Sequence, residues 1–193
     1  NGLIGLMFGN TPKAIPPWGG TKALFGTNPI AFSAPRENDA PMVIDMSLSK
    51  VARGKVMVAN QQDEKIPEGW AIDSEGKPTT DPKKALEGAM LPIGDAKGSA
   101  LALMVEILAA GLTGSNFGFE ASSFLNAEGD SPGVGQLIIA IDPSFFAGDQ
   151  FSERTETMVS SILEQPSTRP VSYTHLRAHE TDSYLVCRLL LEK

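Results

Sequence analysis

Residues 92–112 read Pro92-Ile-Gly-Asp-Ala-Lys-Gly-Ser99-Ala-Leu-Ala-Leu-Met-Val-Glu106-Ile-Leu-Ala-Ala-Gly-Leu112. Leu101 to Leu112 is apolar on almost every side, with Glu106 as its only charge. A helix that is apolar all round is a buried one. The stretch therefore predicts a core helix entered directly from a glycine-containing loop, Leu91 to Gly98. Gly111 or Gly114 is placed to close that helix in the left-handed conformation.

Working outward, Leu3 to Phe8 is a short apolar run that predicts a buried strand. Asn10 to Gly20, with three prolines and paired glycines, is loop. Leu24 to Ser33 holds Gly-Thr-Asn-Pro, which bends the chain between two strand-like pieces. Met42 to Asp45 predicts a buried strand ending in a carboxylate. Ser47 to Val58 predicts a helix, because the residues from Asp45 to Ser49 offer several capping oxygens. Gln61 to Pro82 is polar and turn-rich, and Lys83 to Glu87 is a short helix. Downstream of the core helix, Ser115 to Gly133 is irregular and Leu137 to Ile141 is a strand. Phe151, Met158, Val159, Ile162 and Leu163 follow helical spacing, so Phe151 to Glu164 predicts an amphipathic helix. There is no internal repeat. The alternation of strands and helices predicts a mixed α/β fold.

The bulk composition is that of a globular protein: 193 residues, 41% hydrophobic and 20% charged. A net charge of −7 argues against a nucleic-acid surface, which needs a basic patch. No apolar run approaches the roughly 20 residues that span a bilayer. Asn1 to Gly9 has neither the charged start nor the cleavage pattern of a secretory signal, so the expected compartment is the cytoplasm. The same residues read as a strand already under way, which predicts a chain that begins mid-domain.

The last residues differ from the rest. Both histidines (His175, His179), both tyrosines (Tyr173, Tyr184) and the single cysteine (Cys187) lie beyond position 170. Back-translated, Ser172 to Thr181 is one reading frame of a transposase-type sequencing-library adapter, and Tyr184 to Lys193 resembles its flow-cell end. We expect residues 1–170 to be the native part and 171–193 to be translated adapter without native structure. Such segments are excluded from fold reasoning, so His175, His179 and Cys187 are not taken as acid/base or nucleophile candidates.

Three places in the native part could carry chemistry. Pro92 to Ser99 leads into a helix N-terminus, where free N–H groups and partial positive charge meet the full charge of Lys97. This suits a phosphate or carboxylate, although a plain loop before a core helix has the same sequence. It is not a Walker loop, because Lys-Gly-Ser replaces Gly-Lys-Ser. Ile44 to Lys50 joins a strand to a helix, a common ligand position in α/β folds, with ordinary capping as the alternative. Gly26-Thr-Asn-Pro29 alone is only a turn. Gly133-Val-Gly135 precedes a strand rather than following one and lacks a third glycine, so nothing supports a Rossmann domain. No His, Cys and carboxylate set has metal-ligand spacing. Trp18 and Trp70, beside Pro and Gly, read as packing anchors.

Taken together, these places resemble one family. Pro17-Trp-Gly-Gly20, Phe25-Gly-Thr-Asn-Pro29, Ile44-Asp-Met-Ser47, Ala52-Arg-Gly-Lys55, Ile66-Pro-Glu-Gly-Trp70 and Leu91-Pro-Ile-Gly94 with Lys97-Gly98 occur in the order seen in the malate/L-lactate dehydrogenase-like family. Each is weak alone, but six in order across nearly the whole native part are specific. The resemblance implies a non-Rossmann α/β fold, NAD or NADP as cofactor, and a homodimer. It also implies hydride transfer between the nicotinamide and a small 2-hydroxy or 2-oxo acid such as malate, lactate or sulfolactate. A cyclic-imine reductase of the same family is the alternative, and a non-catalytic binding module a further one.

Carried over by position, the resemblance makes Ile44, Asp45, Met46, Ser47, Leu48, Ser49 and Lys50 one cofactor contact and Ala96 and Lys97 a second. Asn10 and Thr11 lie near the cofactor too. The sequence departs from the pattern at Asp95, where many members have glycine, and at Ser99-Ala100, where many have tyrosine. Ala96 to Gly98 and Ser131 to Gly135 look most like the sulfolactate-type members. The family's catalytic histidine is expected upstream of Asn1 and another cofactor segment beyond the tail junction. The chain alone is therefore expected to show no dehydrogenase activity.

Overall fold

The computed structural model describes residues 2–37, 39–125, 129–166 and 174–175. Its strands are β1 (Ile4–Gly9), β2 (Ile30–Ala34), β3 (Met42–Met46), β4 (Ala71–Ile72), β5 (Pro78–Thr79), β6 (Ala89–Met90), β7 (Gln136–Ile141) and β8 (Thr174–His175). The helices are α1 (Arg53–Gln61), α2 (Pro82–Glu87), α3 (Ala96–Val105) and α4 (Gln150–Leu163). A five-stranded sheet has the order β7-β1-β2-β3-β8, and a three-stranded one the order β5-β4-β6. The mixed α/β expectation holds. β8 falls within the stretch read from the sequence as adapter, pairing Thr174 with Ile44 and His175 with Val43. His179 and Cys187 lie outside the described residues.

The chain divides into two compact units. The first comprises Asn1–Leu6, Ala31–Asp45 and Ala140–Lys193. Within it, α4 is amphipathic, and Val159 is its buried residue. Arg36 grips Glu156 of this helix with a two-point ion pair, Nε to Oε1 at 2.9 Å and Nη2 to Oε2 at 2.7 Å. Those hydrogen bonds, with the opposite charge, hold the Glu156 carboxyl below its usual range. β3 is half-buried rather than buried, and Asp45 at its end is exposed.

The second unit comprises Met7–Ile30 and Met46–Ile139. Its core gathers Ile15, Leu48, Val56, Met90, Ala102 and Val105, each at most 1% exposed. α2 begins as its sequence dictates. Pro82 stands in the first turn, and Asp81 Oδ1 accepts from the N–H groups of Lys83 and Lys84.

Two helices differ from expectation. The helix placed at Ser47 begins only at Arg53, because Leu48 and Lys50 hydrogen-bond laterally to Thr27 and Leu91 instead. Lateral partners for these alternate N–H groups leave no i to i−4 ladder. The core helix starts at Ala96 and passes at Glu106 into a π-helical turn, Glu106–Gly111. It is not buried all round either: Ala102, Val105 and Ala109 face the core, while Leu103, Ile107 and Leu112 are exposed. Among the described residues no helix is long and apolar enough to cross a membrane.

Candidate functional site

The second unit brings separate candidate segments side by side. Leu48 N–H donates to the Thr27 carbonyl at 2.7 Å, and the Leu48 carbonyl accepts from Ile93 N–H at 2.8 Å. Lys50 N–H donates to Leu91 O at 2.8 Å, completing an antiparallel bridge between Ser49 and Pro92. Leu48, fully buried, pins the middle segment. On it, the Ser47 and Ser49 hydroxyls lie 3.2 Å apart, Ser49 also donates to Val51 O, and Lys50 is exposed. Ile44 and Asp45 belong to the first unit, at the end of β3.

The start of α3 is tightly turned. Gly94 has φ +58° and nothing within 4 Å of where a side chain would begin, so the backbone there is open. Asp95 has φ 56° and ψ −120°, a combination that side chains avoid. Its carboxylate makes no capping bond, so the strain is not offset locally. Asp95→Gly is expected to stabilise the fold by about 1 kcal/mol, strain relief outweighing the extra backbone entropy of glycine. Urea unfolding checks it, and a loss of stability refutes it. Lys97, on the first turn, is exposed and makes no ion pair among the described residues.

The polar centre of this unit is Glu106, 3% exposed. Its Oε1 accepts from Gly26 N–H and Asn28 Nδ2, both at 3.0 Å. Its Oε2 accepts from Gly118 N–H at 3.1 Å, with a longer contact of 3.4 Å from Asn10 Nδ2. Asn10 also donates to Asn116 O at 2.8 Å and accepts from Gly135 N–H at 2.8 Å, so its side chain is engaged inside the protein. Asn28, fully buried, donates to Ala102 O at 2.9 Å. A buried carboxylate is tolerated when N–H donors surround it in this way. The sequence reading assigned Glu106 and Asn28 no role. The available signal was a lone charge in an apolar helix together with a Gly-Thr-Asn-Pro turn.

Beside this centre lies a cleft of about 300 Å³, lined among others by Thr11, Lys13, Thr27, Arg53, Phe124 and Leu125. Arg53 stands at the start of α1 and is half-buried. One guanidinium nitrogen donates to Leu86 O at 3.0 Å, while the buried Nε has no partner among the described residues. Burial lowers its pKa from the ordinary value, yet an arginine stays charged at neutral pH. Ala52 at the N-cap of α1 makes no side-chain capping bond, which leaves the positive end of the helix beside that charge. A partly desolvated cation on a cleft, with no ion pair among the described residues, is arranged for an anion.

The family model for malate/L-lactate dehydrogenase matches residues 1–181. The chain belongs to the malate/L-lactate dehydrogenase family. Within the family, it is 58% identical over 168 residues to a (2R)-3-sulfolactate dehydrogenase (NADP(+)) of Chromohalobacter salexigens, covering 87% of this chain and 50% of that protein. It is 44% identical over 162 residues to a Delta(1)-pyrroline-2-carboxylate/Delta(1)-piperideine-2-carboxylate reductase of Pseudomonas syringae pv. tomato, covering 83% and 47%. The solved delta1-piperideine-2-carboxylate reductase of that organism superposes with a TM-score of 0.78 at 43% identity, covering 86% of this chain and 51% of that one. The sulfolactate dehydrogenase of Methanocaldococcus jannaschii gives 0.77 at 39% identity, covering 88% and 48%. The chain thus spans about half the length of the curated family members it matches.

Proposed function

We propose that the full-length protein transfers a hydride between NAD or NADP and carbon 2 of a small 2-hydroxy or 2-oxo acid. The observation that carries this is the Arg53 guanidinium, charged, half-buried and with an Nε unpartnered among the described residues, on a cleft whose lining also offers Thr11, Thr27 and Lys13. Arginine matches a carboxylate with two parallel N–H donors, and threonine hydroxyls suit the neighbouring oxygen of such an acid. The 58% identical relative acts, by its name, on an acid of this kind.

The residues present also suit a dinucleotide. The Ser47 and Ser49 hydroxyls, with the backbone from Met46 to Lys50, would hold ribose and phosphate oxygens. Ala96 and Lys97 would meet a phosphate at the open first turn of α3. When bound, the nicotinamide supplies the carbon that exchanges hydride. The task of this chain's residues is to bind and orient. In this proposal Thr11 faces the acid, and Asn10, engaged with Glu106 and Gly135, supports the site from behind.

The proposal includes a homodimer acting on small molecules in the cytoplasm, with neither nucleic acid nor membrane as partner. Its supports are the acidic balance of −7 and the apolar side chains Leu103, Ile107 and Leu112 left exposed. The reductase relative favours a second reading, in which a cyclic imine carboxylate replaces the oxo acid. Arg53 would hold the carboxylate of either.

The deciding experiment assays the full-length protein for NAD(P)H oxidation with a panel of 2-oxo acids and cyclic imines. Lys97→Ala is expected to raise the cofactor KM by roughly 10-fold, the size of one lost charge-assisted contact at an exposed site. The acid KM should stay within about 3-fold, since Lys97 is not among the residues lining the cleft. Oxidation of NAD(P)H with none of these substrates rejects the proposal. An unchanged cofactor KM removes Lys97 from it.

A further inference from the structure

Glu106 is not among the residues lining the cleft, yet it is the carboxylate on which the cleft's supporting segments converge. Two short chains of hydrogen bonds lead from it to the lining. In one, Asn28 donates to Glu106 Oε1 and its Oδ1 accepts from Thr11 N–H at 3.3 Å. Thr11 Oγ1 in turn accepts from Thr27 N–H at 2.9 Å and lies 3.2 Å from the Thr27 hydroxyl. In the other, Gly118 donates its N–H to Glu106 Oε2, and its carbonyl accepts from Lys13 N–H at 2.8 Å. Thr11, Lys13 and Thr27 all line the cleft.

Glycine permits this convergence. A side chain at Gly118 would begin 2.8 Å from Gly26 N and 2.9 Å from both Glu106 Oε1 and Thr11 O, so only a bare backbone fits between them. Glu106 also opens the π-helical turn, and such turns recur at functional sites.

We propose that Glu106 is a positioning residue for the acid: its carboxylate fixes the Thr11, Lys13 and Thr27 side of the cleft without touching the substrate. This rests on the cleft being the acid site. Both carboxylate oxygens face N–H donors, so the charge can be replaced neither by an amide nor by a hydrocarbon of the same shape. A glutamine in its place sets an NH₂ group against N–H groups at one of the two oxygens. The result is a shift of the Thr11 and Thr27 hydroxyls rather than a loss of cofactor contacts.

The test uses the full-length enzyme with Glu106→Gln, Asn28→Ser and Thr11→Val, measuring the KM for the 2-oxo acid and the NADPH affinity by fluorescence. Glu106→Gln is expected to raise the acid KM roughly 10-fold with NADPH affinity within about 3-fold. Asn28→Ser, which breaks the link from Glu106 to Thr11 N–H at a residue outside the cleft lining, should do likewise. Thr11→Val removes a hydroxyl placed on the acid itself and calibrates a direct loss. If Glu106→Gln does not fold, Asn28→Ser decides alone. An acid KM unmoved by Asn28→Ser, or acid and NADPH affinities falling in parallel, overturns the positioning role. Arg53→Met separates this from the cleft assignment. If Arg53→Met raises the acid KM while the Glu106 and Asn28 variants do not, only the positioning role falls. If Arg53→Met leaves it unmoved, both fall.

Discussion

Replacing Arg53 by methionine is expected to raise the KM for the 2-oxo acid by about 30- to 1,000-fold in the full-length protein, with little loss of stability. Truncating one partner of a buried, hydrogen-bonded charge pair costs about 2–5 kcal/mol of binding, and each 1.4 kcal/mol is tenfold in affinity. The lower part of that range applies here because Arg53 is half-buried rather than fully buried. Stability should move little, because the guanidinium is poorly served in the free protein. Among the described residues it has one hydrogen bond, to Leu86 O, and an Nε with no partner. Methionine loses that bond but also removes a desolvated charge that nothing in the described structure neutralises. Arg53→Lys keeps the charge and loses the planar fork, so an intermediate KM is expected. The measurement pairs steady-state kinetics with thermal unfolding. A variant that loses stability while keeping its KM within about 3-fold would show that Arg53 serves packing and not the acid.

Gly98→Ala is the second large effect, and it acts on stability. A β-carbon at this position overlaps the carbonyl oxygen of Ile93 and sits 2.8 Å from the Ile93 carbonyl carbon. The obstacle is backbone rather than a side chain that could swing aside. That backbone is held in turn, because Ile93 N–H donates to Leu48 O at 2.8 Å and Leu48 is fully buried. Alanine gains about 1 kcal/mol over glycine in helix propensity, far less than an overlap of this kind removes. A net destabilisation of about 3 kcal/mol is expected, at the upper end of the usual overpacking range. Urea unfolding reads it directly. Since α3 can relieve the overlap only by moving away from Ile93, Lys97 moves with it, and NADPH affinity should fall as well. A Gly98→Ala protein with the parent's midpoint and slope in urea contradicts the packing described here.

The two predictions separate the site into parts that the sequence revealed unequally. Lys97 and the Ser47–Lys50 segment stand out in the sequence as proposed cofactor contacts because their signals are local: a charge at a helix start, hydroxyls after a strand. Arg53 was visible only as one letter in a matching run of residues. Its significance lies in the missing partner of Nε, which depends on what surrounds it in space. Asn10 shows the reverse. It was placed near the cofactor by position in the family pattern, and the structure engages its side chain with Glu106, Asn116 and Gly135. Asp95 joins the two levels: a departure from the family's glycine in sequence becomes a left-handed φ in structure.

By itself the sequence determined the fold class, the order of most elements and the family. Those follow from periodicity, from turn residues and from short motifs in fixed order, all of which are local properties of the chain. Where α1 begins was decided only by the tertiary structure, because capping oxygens at Ser47 and Ser49 could not outweigh lateral bonds from Leu48 to Thr27 and Ile93. The burial of α3 was decided there too, since an all-apolar pattern does not say which face finds a neighbour. The surroundings of Glu106 are the clearest case. Among the described residues its four N–H contacts come from residues 10, 26, 28 and 118, and only folding brings donors so far apart in the chain onto one carboxylate.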